Sequence, residues 1–365
     1  MLGKGLRSLA RSRLLQSVPA STMPATNIEN IEEIETALSE PSAALVEMLR
    51  ELDGDIIVLG VGGKMGPTLA RMARRGSDAA GVTRRVIGVS RFSSDGEREK
   101  LEQHGVETIV CDLLDEAAVA RLPDAANVIY MAGMKFGATG NEALTWAMNA
   151  WLPGIVCRRY AGSRIAAFST GNVYGLTPVA AGGSREGDAP NPVGEYAMSC
   201  LGRERMFEHF SRSAGTRVSL IRLNYACELR YGVLVDIAQR VWSREAIDLG
   251  MGYFNVIWQG DANAWSLLTL AHATTPPFVI NVTGPERVSV REVAVEFARR
   301  MGKPATFNGA EPATALMSNA SRAAGLFGSP RVGLGQMVEW IADWVMRGGA
   351  TLGKPTHFES RDGRY

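Results

Sequence analysis

Asp55-Ile-Ile-Val-Leu59 runs directly into Gly60-Val-Gly62-Gly63-Lys64-Met65-Gly66, and this stretch decides the fold. The first half is a short continuous apolar run, rich in β-branched residues and bounded by Gly54 and Gly60. A strand with no polar alternation is buried on both faces, as in a parallel sheet. The second half puts glycines where a chain must turn tightly and let its backbone approach a phosphate. A helix opening near Pro67 supplies free N–H groups and a partial positive charge behind them. Gly60, Gly63 and Gly66 fit the spacing GxxGxxG, whereas GxGxxG fails because Met65 stands at its third glycine. Strand, glycine loop and helix in this order point to a dinucleotide pyrophosphate.

Outward from this unit the alternation repeats. Residues 85–89, 107–110, 127–131, 164–169 and 218–222 read as strands, and 95–104, 115–121, 142–160 and 195–211 as the helices between them. That rhythm predicts an α/β fold, a Rossmann-type doubly wound parallel sheet. Residues 28–53 read as a helical lead-in and 54–223 as the dinucleotide-binding domain. After Asn224 the rhythm loosens. Residues 278–282 read as one more strand, and Ser289-Val-Arg-Glu292 is a capping box for a helix that runs to Met301 before Gly302. Residues 224–365 are expected to form a smaller substrate-binding region, partly interleaved with the first domain. It belongs at the carboxyl edge of the sheet, where open α/β sheets bind ligands.

Composition narrows the function classes. The 365 residues are 46% hydrophobic and 21% charged, which excludes a disordered, collagen-like or coiled-coil chain. A net charge of +1 gives no global field for nucleic acid or an anionic membrane. Cys111, Cys157, Cys200 and Cys227 form no CxxC pair, and the histidines are scattered, so neither a disulfide scaffold nor a locally spaced metal site is expected. No apolar run reaches the roughly 18 residues of a membrane span. Residues 1–27 contain no acid and carry Lys4, Arg7, Arg11 and Arg13. This is the composition of a transit peptide, but equally of a disordered tail or of a chain whose true start is Met23. A cytoplasmic protein is expected, or an imported one if the segment is a transit peptide.

Further cofactor contacts follow from position. An acidic residue at the end of the second strand would hold the ribose 2′-hydroxyl and favour NAD. Ser90 and Arg91 stand there instead and can accept a 2′-phosphate, which leans the reading to NADP over NAD. A solvated Arg91 is the alternative. Asp112, followed by Leu113, is placed to hold the adenine edge or to cap a helix.

Across about residues 54–345 the chain resembles the extended short-chain dehydrogenase/reductases, in particular the NAD-dependent epimerase/dehydratase family. The resemblance rests on the GxxGxxG loop, Asp112-Leu113, Phe168-Ser-Thr-Gly-Asn-Val-Tyr-Gly175, Tyr196, Arg222-Leu-Asn224 and the 278–302 segment. It implies that Thr170 holds a substrate hydroxyl or carbonyl, and that Tyr196 exchanges a proton with that oxygen and also contacts the cofactor. Ala132 and Gly133 would line the cofactor site, while Asn172 and Asn224 would face substrate. It also implies a homodimer built through 142–160 and 195–211. The family lowers the pKa of its tyrosine with a lysine four residues on. Here that position is Cys200, a neutral thiol that supplies no charge. Two cations can replace it. Arg203, seven residues after Tyr196, returns to within about 20° of the same helix face. Lys135, in the loop after the fourth strand, emerges at the carboxyl edge. Either can instead be a surface charge, and Cys200 can be a nucleophile or a packing thiol.

Two further departures shape the expected chemistry. Dehydratases of the family carry an acid just after the catalytic threonine, whereas Gly171 and Asn172 stand here. Tyr225-Ala-Cys-Glu228 replaces the Tyr-Gly-Pro that accompanies nucleotide-sugar pockets. The expectation is NAD(P)-dependent hydride transfer at a secondary alcohol of a sugar or sugar-derived substrate, as an epimerase or a dehydrogenase/reductase. The alternative is a catalytically silent NAD(P)-binding protein.

Overall fold

The computed structural model describes residues 28–135 and 137–363, so the expectations for 1–27 lie outside the described residues. Seven strands form one sheet: β1 (Ile56–Leu59), β2 (Val86–Ser90), β3 (Glu107–Val110), β4 (Asn127–Tyr130), β5 (Arg164–Thr170), β6 (Arg217–Leu223) and β7 (Phe278–Val282). Their spatial order is β3-β2-β1-β4-β5-β6-β7, and every pairing is parallel. The order reverses at β1, which lies between β2 and β4, and this reversal opens a crevice at the carboxyl ends of the strands.

The unbroken apolar run of β1 has a direct structural cause. Ile56 and Val58 point into one core, with Leu45 and Leu49 of the lead-in and Leu69 and Met72 of the helix after the glycine loop. Ile57 and Leu59 point into the other, with Val156 and Phe207. Alternate side chains thus meet helices on opposite faces, and none can be polar.

The helical lead-in is two helices rather than one. α1 (Ile31–Leu38) and α2 (Ala43–Glu51) are separated at Pro41, and Asn30 and Ser42 cap them. α3 (Gly66–Ala79) follows the glycine loop, and α4 (Glu97–Gln103) and α5 (Glu116–Ala120) follow β2 and β3. The single helix expected over 142–160 is also interrupted: α6 (Glu142–Trp146) passes into a π-helical turn, Ala147–Trp151, and then into α7 (Leu152–Arg159). Pro153 is the reason. It has no N–H to offer the carbonyl four residues back, and that carbonyl, of Asn149, instead accepts from Nε of Arg203 at 3.4 Å.

α8 (Gly194–Ala214) packs along β5 and β6. Beyond it, α9 (Val233–Ser243), α11 (Val290–Met301) and α13 (Leu334–Met346) enclose a separate core containing Trp258, Trp340 and Trp344. α10 (Gln259–Leu268) packs instead against α3, and α12 (Ser321–Phe327) against β7. The region after 224 is therefore interleaved in a definite way: it contributes the seventh strand of the main sheet and then returns to its own core.

Candidate active site

The glycine loop is shaped by what surrounds it. A Cβ on Gly60, whose φ is +89°, would lie 2.7 Å from the backbone nitrogen of Ala132, and one on Gly66 would overlap the carbonyl of Val61. Gly63 differs, since a Cβ there would meet only the Gly60 carbonyl, at 3.5 Å. Two glycines are thus required by the fold, and the third leaves an open cradle at the start of α3, where a pyrophosphate fits. Thr68 fixes that helix start. Its hydroxyl donates to the Met65 carbonyl at 3.1 Å and accepts from Gln259 at 3.2 Å and Asn263 at 3.1 Å, both on α10.

The loop forms one wall of a cleft of about 1060 Å³ at the carboxyl edge of the sheet. Gly60, Gly62, Gly63, Lys64, Met65, Gly133 and Tyr196 line it, as do Thr170, Asn172, Asn224 and Lys135. Gly66 and Ala132 are buried behind the loop. The expected adenosine contacts are not brought together. Arg91 is exposed, Leu113 is buried in the core, and the Asp112 carboxylate accepts from the Leu114 amide at 3.0 Å; none of the three lines the cleft. Ser90 lies against the loop, its Oγ 2.6 Å from where a Gly62 Cβ would be. Glu97, which no sequence pattern singles out, reaches the same point, its Oε2 3.6 Å away, and lines the cleft.

Thr170 ends β5, and its hydroxyl is tied to Asn172: it donates to Oδ1 and accepts from the amide, both at 3.2 Å. Behind the strand, Ser169 donates to Glu204 at 2.6 Å, and Arg222 donates to the same carboxylate at 3.0 and 2.7 Å. This buried pair fixes the end of β5 against α8. Asn224 is buried, and its Nδ2 has no hydrogen-bond partner among the described residues. A ligand oxygen in the cleft would satisfy it.

The two candidate cations separate clearly. Arg203 does not enter the cleft. Its guanidinium is buried beneath the sheet edge, donating to the Phe168 carbonyl at 2.7 Å and to Asn149 Oδ1 at 2.6 Å. Seven residues bring the helix back to the same face but also advance it about 10.5 Å, which carries Arg203 from the cleft to the core. Lys135 does line the cleft, with its Nζ 5.8 Å from the Tyr196 ring centroid. Burial draws its pKa down to about 8, while Cys200 and Asp236 act in the opposite sense. Asn149 holds the adjacent residue: its Oδ1 accepts from the Met134 amide and its Nδ2 donates to the Met134 carbonyl, both at 2.9 Å.

Cys200 is fully buried with Val173 and Tyr174, and burial pushes its thiol pKa up. A buried thiol of raised pKa packs rather than attacks. Lys64 lies 3.3 Å from the Tyr231 ring centroid, and burial first, then Lys135 and Lys354, bring its pKa down to about 7. Lys354, Tyr231 and Asn149 had no sequence signal, because each joins the site from a different segment. Among the described residues no group of three or more His, Cys, Asp or Glu side chains is placed to hold a metal, and no helix is long and apolar enough to cross a membrane.

No curated protein sequence matches the chain. Several solved structures share its fold. UDP-glucuronic acid 4-epimerase from Bacillus cereus, in complex with UDP-glucuronic acid and NAD, is 20% identical with a TM-score of 0.67. UDP-glucose 4-epimerase from Thermus thermophilus, in complex with NAD, is 22% identical with a TM-score of 0.64. UDP-glucose 4-epimerase from Thermotoga maritima, with UDP-glucose, is 18% identical with a TM-score of 0.66. Each alignment covers 80% of this chain and 99% of the other. Residues 56–227 match the family model described as the NAD dependent epimerase/dehydratase family.

Proposed function

We propose that the protein transfers hydride between NAD and a secondary alcohol carbon of a sugar-derived substrate, with Lys135 in place of the lysine missing at Cys200. The observation that carries this reading is the joint position of Thr170, Tyr196 and Lys135 on one cleft that begins at the glycine loop. NAD, when bound, accepts or returns the hydride. The loop Gly60–Met65 and the start of α3 would hold its pyrophosphate. The Thr170 hydroxyl would hold the substrate oxygen, with Asn172 fixing that hydroxyl. The Tyr196 phenol would take the proton from the oxygen or return it, and the Lys135 ammonium would favour the phenolate. Gly171 and Asn172 give no carboxylate for elimination, which supports epimerisation or oxidoreduction over dehydration.

NAD rather than NADP is supported by Glu97. A carboxylate beside the loop accepts from ribose hydroxyls and repels a 2′-phosphate, and two of the structures named above hold NAD. A homodimer is supported by the faces of α6 to α8, where Leu144, Trp146, Trp151 and Met198 are exposed, Trp151 at 55%.

The test is absorbance of reduced nicotinamide with NAD-loaded protein and a panel of sugars, sugar acids and sugar nucleotides, beside Tyr196→Phe. Reduction that falls by about 10²-fold or more in the variant supports the reading. Confirmed NAD binding with neither transient nor net reduction and no epimerised sugar, or a variant as active as the parent, overturns it in favour of a silent binder.

A further inference from the structure

We infer that α1, the turn 228–231 and the tail after α13 form a clasp over the glycine loop, with Arg230 as its hub, and that opening of this clasp gates the entry and exit of NAD. The inference goes beyond hydride transfer and rests on the reading above that the loop holds the dinucleotide.

Three segments distant in sequence meet at Arg230. The first is its own turn, closed by the Glu228 amide donating to the Tyr231 carbonyl at 2.9 Å. Glu228 ends the Tyr225-Ala-Cys-Glu228 stretch that departs from Tyr-Gly-Pro, and the departure has a use here. Its buried carboxylate accepts from the Arg230 amide at 2.9 Å and from Nε at 3.0 Å. The second segment is α1, where Glu35 accepts from Nη1 of Arg230 at 2.7 Å. The third is the tail, whose Leu352 amide donates to the Arg230 carbonyl at 3.0 Å. The residue after Arg230 is Tyr231, and its ring centroid lies 3.3 Å from Nζ of Lys64 in the glycine loop. One turn thus joins α1 and the tail to the pyrophosphate cradle. Glu32 adds a second tie, accepting from Arg71 of α3 at 2.9 Å. Glu32, Glu35, Arg230, Tyr231 and Leu352 all border the cleft that the glycine loop begins.

The clasp is built to part at the hub. Each segment is rooted in the core of the region after 224: α1 by Ile34 and Leu38, the turn by Leu229, the tail by Phe358. The contacts that join them at Arg230 are polar, and Glu35 and Glu32 both reach solvent. Partly exposed ion pairs hold weakly, whereas buried apolar roots yield only with local unfolding. The segments can therefore separate at Arg230 while their roots stay in place. A dinucleotide with its pyrophosphate at the start of α3 lies beneath these joined segments and has to pass between them.

The experiment is stopped-flow fluorescence of NADH with the full chain. Mixing protein with NADH reads entry, and mixing NADH-loaded protein with excess NAD reads exit. Glu35→Gln breaks the arm to α1 but leaves Arg230 with Glu228, so the buried guanidinium keeps a counter-charge. It is expected to raise both rate constants by about five- to tenfold and to leave Kd within about threefold, because a gate changes both directions together. Leu352→Pro removes the amide donor of the tail at an exposed position and is expected to do the same. It decides the matter if Glu35→Gln fails to fold. Entry and exit both within about twofold of the parent overturn the inference. So does faster exit with unchanged entry, which marks an ordinary cofactor contact. Protein that binds no NADH overturns this inference and the proposed function together. Hydride transfer with exchange that the variants leave unchanged sinks this inference alone, and variant-sensitive exchange without hydride transfer sinks the proposed function alone.

Discussion

Asn149 grips the backbone of Met134 from both sides, accepting from its N–H and donating to its C=O at 2.9 Å each. The residue after Met134 is Lys135. Asn149 is itself held by Arg203 at 2.6 Å and donates to Ser199 at 2.9 Å. The cation that enters the cleft is thus positioned by the cation that does not.

Lys135→Met is expected to lower kcat by about 10²-fold or more while NAD still binds, because the charge beside Tyr196 is lost and the glycine loop is untouched. Steady-state kinetics with parallel NAD titration checks this. A variant with unchanged kcat would remove Lys135 from the mechanism.

Arg203→Met takes the guanidinium donor from the Phe168 carbonyl and from the Asn149 main-chain carbonyl in a buried region, and leaves Asn149 Oδ1 with the Met134 amide alone. Each orphaned group costs about 1–3 kcal/mol. Urea unfolding should therefore show a loss of about 2–5 kcal/mol. A loss below about 1 kcal/mol would show that the contacts at this site rearrange freely.

Cys200→Ser is expected to leave hydride transfer within severalfold of the parent, and iodoacetamide to leave Cys200 unlabelled in the folded protein. Burial, which pushes the thiol pKa up, is the cause of both. Rapid labelling with loss of activity would instead favour thiol chemistry.

Glu97→Gln should narrow the preference for NAD over NADP by about tenfold, chiefly through better NADP binding, since a repelled 2′-phosphate would meet a neutral amide. Fluorescence titration with both cofactors decides it. An unchanged ratio would return the selection to Ser90 and Arg91.

Thr170 and Tyr196 were pointed to by the family resemblance, whereas local pattern by itself determined the strand–loop–helix start and the order of the sheet strands along the chain. These features depend on side-chain period and on glycine conformation, and both are properties of neighbouring residues. The π-turn was in principle legible at Pro153, but its consequence, a carbonyl freed for Arg203, needed the partner helix. Helical angle alone put Arg203 with Tyr196, whereas the packing of α8 against the sheet sent one to the core and the other to the cleft. Lys64, Glu97, Asn149 and Lys354 meet the site from the glycine loop, α4, the π-turn and the tail. Their roles depend on distances across the fold, and only the tertiary structure sets those distances.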